Sequence, residues 1–95
     1  MIGTQKDLIM LLTEYKDKLV LVNWVDAREV TNGTWHTRDD VEKTPSSEVK
    51  SVGWVTHETD QEIKISADIP IDPEDDEVGR TTVIPRGCVK EIKEL

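Results

Sequence analysis

The segment TVIPRGCVKEI, residues 82–92 of this 95-residue chain, holds the side chains best suited to chemistry. An arginine beside a glycine at a chain reversal presents a planar guanidinium that can stack on a base or grip a phosphate. Arg86 can equally pair with an acid such as Glu91, or simply top the turn. Cys88 follows at once, but no nucleophile signature surrounds it, and a small buried residue is the plainer reading. His36, Asp39 and Asp40, with His57, have the ligand types of a metal site. Their spacing matches no metal motif, and helix capping accounts for both aspartates. No Gly-rich phosphate loop, Ser-His-Asp order or distinctive carboxylate pair is present. The expectation is therefore no catalytic residue, no metal and no cofactor.

Aromatic residues are the other means of gripping a base. Trp24, Trp35 and Trp54 stand in a chain with one tyrosine and no phenylalanine. In such a chain they are expected to supply core bulk or a subunit contact rather than stacking platforms. Trp35 lies in a loop excursion and is the one expected to be exposed, which makes it the candidate partner contact.

Charge limits the choice of partner. The formal net charge is −8, and six acids with no base among them fall in DIPIDPEDDEVG, residues 68–79. Phosphate backbones are held by Lys and Arg surfaces, so the chain as a whole repels nucleic acid. Outside that run the charge is only mildly negative, which leaves room for a local basic site but not a broad basic groove. The run itself reads as a solvated loop, as a contact for a basic partner, or as an electrostatic guard that keeps nucleic acid from the wrong face. No apolar stretch approaches the roughly 20 residues that span a bilayer. The N-terminus lacks the features of a signal peptide. One cysteine excludes an internal disulfide, and a reducing cytoplasm is the expected setting.

The elements that must position these residues follow from periodicity. Thr4 with Asp7 reads as a helix cap, and Leu8, Leu11, Leu12 and Tyr15 share one helical face, predicting a helix over about 5–15. LVLVNWVDA, about 19–27, has strand composition and is apolar on both faces, so both should be covered, one of them by that helix. Asn32-Gly33 marks a turn, and Thr37 with Asp40 caps a short helical turn through Val41. Strands are expected at about 49–57 and 61–68, joined by the polar HETD turn, with a bulge or bend at Gly53. The acidic loop 68–79 leads to strands at about 80–85 and 88–94. Gly87 is expected to take a positive φ in a tight reversal. One domain over 1–95 results: mainly β, with an N-terminal helix before five short strands.

The final segment, Ile84, Arg86, Gly87, Val89 and Ile92, resembles the second signature of the Sm-like family, although Pro85 stands next to the arginine. Gly53, Val55, Asp60 and the Ile63/Ile65 strand follow the outline of the first signature, with Gln61 and Glu62 where the family has an asparagine. WVDA early, SVGW centrally and IPRG late are also similar to small phage-encoded Sm-like proteins. The resemblance implies a strongly bent, five-stranded Sm-like or SH3-like barrel that forms homo-oligomeric rings through its edge strands. It implies RNA or a nucleotide as ligand, with Arg86, Gly87 and Asp60 as the binding residues. It also implies a cytoplasmic location, in a host if the chain is phage-encoded. A protein-interaction or structural module without a nucleic-acid role is the alternative.

Overall fold

A computed structural model describes residues 14–30 and 33–95. Of the helix expected over 5–15, only Glu14 and Tyr15 fall within the described residues, where they open a turn. The elements in order are β1 (Leu19–Asp26), α1 (Arg38–Lys43), β2 (Ser47–Glu58), β3 (Glu62–Asp68), β4 (Gly79–Pro85), a 3-10 turn (Arg86–Cys88) and β5 (Val89–Glu94). All strand pairings are antiparallel, in one sheet of order β4-β3-β2-β1-β5. No helix among the described residues is long and apolar enough to cross a membrane.

The longest strand, β2, is shared between two half-sheets. Its register with β1 runs from Asp26↔Ser47 to Leu19↔Trp54. With β3 it runs from Trp54↔Ser66 to Glu58↔Ile63. Val20 and Val22 from the first half, and Val55, Ile63, Ile65 and Ile84 from the second, form one buried cluster. Tyr15, Trp24, Val89 and Ile92 pack against it from partly buried positions. A flat single sheet cannot hide one face, so these side chains are buried because the two halves curl over each other. The period-2 pattern of β1 points Val20, Val22 and Trp24 inward. Leu19, Leu21 and Val25, on the other face, remain only half-buried.

The curl stops short of a closed barrel. Both β4 and β5 are edges, and no ladder joins them. Yet only Arg86, Gly87 and Cys88 separate Pro85 from Val89, and four residue steps span at most ~14 Å. The end of β4 therefore lies close to the start of β5. Pro85 has no N–H to donate, so β4 ends there, and the chain crosses on a turn instead of a ladder. The strongly bent barrel implied by the resemblance is thus corrected to a curled, open sheet.

Two glycines depart from expectation. The β2–β3 register shift lies between Val55 and His57, so the bulge is at Thr56 rather than Gly53. Gly53 serves close approach instead: a Cβ there would lie 2.9 Å from the Ser66 carbonyl oxygen and 3.3 Å from the Ile65 Cβ. Gly87 does not adopt a positive φ; among the described glycines only Gly33 does, at 103°. The β3 backbone beside Gly53 is locked by its ladders and by hydroxyl contacts at 2.8 Å from Ser66 to Thr56 and to Thr81. The helix α1 buries no residue and rests on its cap, where Thr37 Oγ1 accepts from the Asp40 N–H at 3.1 Å, and on an Asp39–Lys43 pair at 2.8 Å.

Gly53→Ala is expected to destabilise the protein by about 1–3 kcal/mol, because the new methyl meets a backbone that cannot yield. Gly87→Ala, with open space around the added Cβ, is expected to stabilise it by about 0.4–1 kcal/mol. Urea unfolding of the two variants checks both signs.

Candidate functional site

Two turns meet at Arg86. Its backbone N–H donates to the Gln61 carbonyl at 2.8 Å, and its Nε donates to the Thr59 carbonyl at 3.1 Å. A guanidinium Nη donates to Glu58 Oε2 at 2.7 Å. The Glu58 side chain has 0% exposure and that of Arg86 has 24%. The other Glu58 oxygen, Oε1, accepts the Tyr15 backbone N–H at 2.8 Å. A carboxylate removed from water must be paired and hydrogen-bonded to remain charged, and here both oxygens are engaged. The β2–β3 turn, the 3-10 turn and the segment before β1 are thereby tied to one carboxylate.

Arg86 is therefore an internal clamp, and its acid is Glu58 rather than Glu91. Glu58 belongs to HETD, which reads as a polar turn. Strict alternation from Gly53 and Val55 would bring His57 inward. The bulge at Thr56 adds one residue and brings Glu58 inward instead, leaving His57 exposed. Asp60 is exposed at the tip of the β2–β3 turn, where Thr59 Oγ1 accepts the N–H groups of Gln61 and Glu62 at 3.2 and 3.0 Å. Gly87 is exposed on the neighbouring turn. The structure thus brings Arg86, Gly87 and Asp60 to one place.

The remaining candidates are scattered. Trp35 is 93% exposed on the β1–β2 connection, a different loop. Trp24 joins the core margin and donates from its indole to Ser51 Oγ at 3.0 Å, while Trp54 is 37% exposed. Asp39 and Asp40 serve α1 as its ion pair and cap. Among the described residues no three His, Cys, Asp or Glu side chains come together as a metal site. Cys88 is a free, half-buried thiol in the 3-10 turn, not a fully buried one.

Two surface carboxylates are perturbed. Asp68 is held below the usual carboxylate range chiefly by its hydrogen bonds from Arg80, which close a two-pronged contact at 2.6 and 3.0 Å. Glu48 is lowered mainly by its hydrogen bond from Lys90. Comparison of the chain with protein-family models, curated proteins and solved structures finds no match.

Arg86→Ala strands a desolvated carboxylate and is expected to destabilise the protein by about 3–5 kcal/mol. The paired replacement Glu58→Met/Arg86→Met leaves no buried charge and should recover most of that loss, as read by urea unfolding. Because Asp68 and Glu48 have lowered folded pKa values, their stabilisation is complete above the ordinary carboxylate range. It declines as pH falls through the folded values. Carboxyl carbon chemical shifts should show both groups titrating below the ordinary values of about 3.9 for Asp and 4.3 for Glu. Asp68→Asn should reduce the acid-side slope of stability against pH.

Proposed function

We propose that the chain is a non-enzymatic, self-associating β module of the type its closing motif resembles, acting through protein contacts rather than nucleic-acid binding. The observation that carries this reading is the pairing of Arg86 with the buried Glu58. The cation on which an RNA role would rest is held inward by the fold. The charge of −8 points the same way, since it opposes a phosphate backbone. Self-association is supported by β4 and β5, which are the edges of the sheet among the described residues. Exposed Trp35 adds an aromatic anchor of the kind that protein interfaces favour.

One observation favours a second reading. Asp60 and Gly87, both exposed, lie on the two turns that meet at Arg86, and no neighbouring atom crowds Gly87. A nucleotide seated there would use backbone groups and Asp60 more than the guanidinium.

Light scattering coupled to gel filtration should give a mass of more than one chain. A monomer at millimolar concentration removes the self-association. Fluorescence anisotropy with short U-rich and A-rich RNA at low salt should show no binding. Saturable binding that Asp60→Ala abolishes would instead establish the nucleotide reading.

A further inference from the structure

An antiparallel sheet with one face in water alternates apolar-in and polar-out along its strands. The β5-β1-β2 half of this sheet does not. Opposite the buried Val20 and Val22, β1 turns Leu19 and Leu21 outward. The register sets Trp54 beside Leu19 and Val52 beside Leu21. Just past β5, the Leu95 N–H donates to the Leu19 carbonyl at 2.9 Å, which extends the Leu19 row on its other side. Val52, Trp54 and Leu95 are 52%, 37% and 59% exposed. These side chains form one outward patch across three strands, and contiguous exposed apolar surface of this kind marks a contact with another macromolecule.

The charges on the same face say what covers it. β1 lies between β5 and β2. In the row through Asn23, β5 carries Glu91 and β2 carries Lys50. Farther along, Lys90 of β5 and Glu48 of β2 reach across β1 to each other. At both levels the charge on β5 is opposite in sign to the charge on β2. A two-fold axis along β1, between two stacked sheets, sets the β5 side of one copy against the β2 side of the other, row by row. Glu91 of each copy then meets Lys50 of the other, and Lys90 meets Glu48. In the same arrangement Leu21 meets Leu21, and Leu95 meets Trp54. An axis across the strands would instead bring Trp54 and Leu95 against Lys50 and Glu91. The face is thus complementary to itself about one axis only, which is what an isologous contact requires.

We propose that two copies of this chain stack face to face through β5, β1 and β2, about a two-fold axis along β1. Sheets packed in this way lie about 10 Å apart, with strands within about 30° of one another. The apolar patch forms the centre, and a Glu91–Lys50 pair closes each rim. The contact rests on the self-association proposed above and assigns it a surface other than the edges of the sheet. Because the sheet curls toward its core, the outer faces meet over three strands rather than all five. The dimer is therefore weak and concentration-dependent.

Sedimentation equilibrium of the whole chain should show a monomer–dimer equilibrium. Lys50 and Glu91 are exposed and in no ion pair among the described residues, so reversing either charge leaves the fold intact. Lys50→Glu and Glu91→Lys should each raise the dimer dissociation constant at least about tenfold, because each sets two like-charge pairs across the contact. An equimolar mixture of the two variants should dimerise like the parent, since both rim pairs of the mixed dimer are again opposite in sign. The double variant Lys50→Glu/Glu91→Lys should do the same. Val52→Lys, which sets a cation against Lys93 of the other copy, should disperse the dimer while urea unfolding shows the fold retained. A monomeric parent overturns this contact and the self-association together. A parent that associates while the single variants associate equally well, or while their mixture fails to recover, overturns the face and leaves self-association to the edges.

Discussion

A carboxylate with no solvent exposure organises this small domain. Glu58 can stay charged in the interior only if a cation and further donors reach it, and Arg86 and the Tyr15 N–H supply them. Those donors come from the turn after β4 and from the segment before β1, parts of the chain far apart in sequence. Docking them on one carboxylate holds the turn between β4 and β5 against the β2–β3 turn. The sheet is then held curled by a charged clamp rather than by a ladder between its edges. Apolar packing supplies the general tendency to curl; the ion pair selects one arrangement.

The clamp depends on what β2 does upstream. This strand must serve β1 with its first part and β3 with its second, and the change of partner falls at Trp54. Gly53 lets β3 approach where any side chain would collide. The bulge at Thr56 then inverts the facing of everything that follows, which is how Glu58 comes to point inward. Thr56 is not idle, because its hydroxyl meets that of buried Ser66, which in turn meets Thr81. The unpaired residue of the bulge thus begins a hydroxyl chain that joins β2, β3 and β4. A second bulge, on β5 against β1, makes Lys90 the extra residue of that ladder.

Features governed by local chemistry were legible in the residues. Thr37 caps α1 as its spacing to Asp40 predicts, and the alternation of β3 names Ile63 and Ile65 as buried, whereas β1, apolar on both faces, buries only Val20 and Val22 fully. Features governed by a single inserted residue were not. Alternation cannot reveal a bulge, so Glu58 reads as turn polarity and the partner of Arg86 is missed. The Arg-Gly pair suggests a left-handed glycine, yet a 3-10 turn accommodates Gly87 with negative φ. The buried, unpartnered Oδ1 of Asn23 is equally invisible, since burial depends on the neighbouring strands. The helix expected over 5–15 lies outside the described residues apart from its last two positions.

Charge placement follows the same division between structure and surface. Asp68 and Gly79 pair at the base of the acidic loop, where a Cβ on Gly79 would come within 3.2 Å of the Asp68 side chain. Arg80 accepts a φ of 51°, unusual for a residue with a side chain, and its fork onto Asp68 offsets that strain. The loop is thereby anchored by the first of its own acids, while the other five remain on the surface. With Arg86 turned inward and Arg80 held by Asp68, two of the arginines serve the fold. Carboxylates outnumber the remaining cations, so a partner that meets this protein broadly must bring positive charge or an apolar surface of its own.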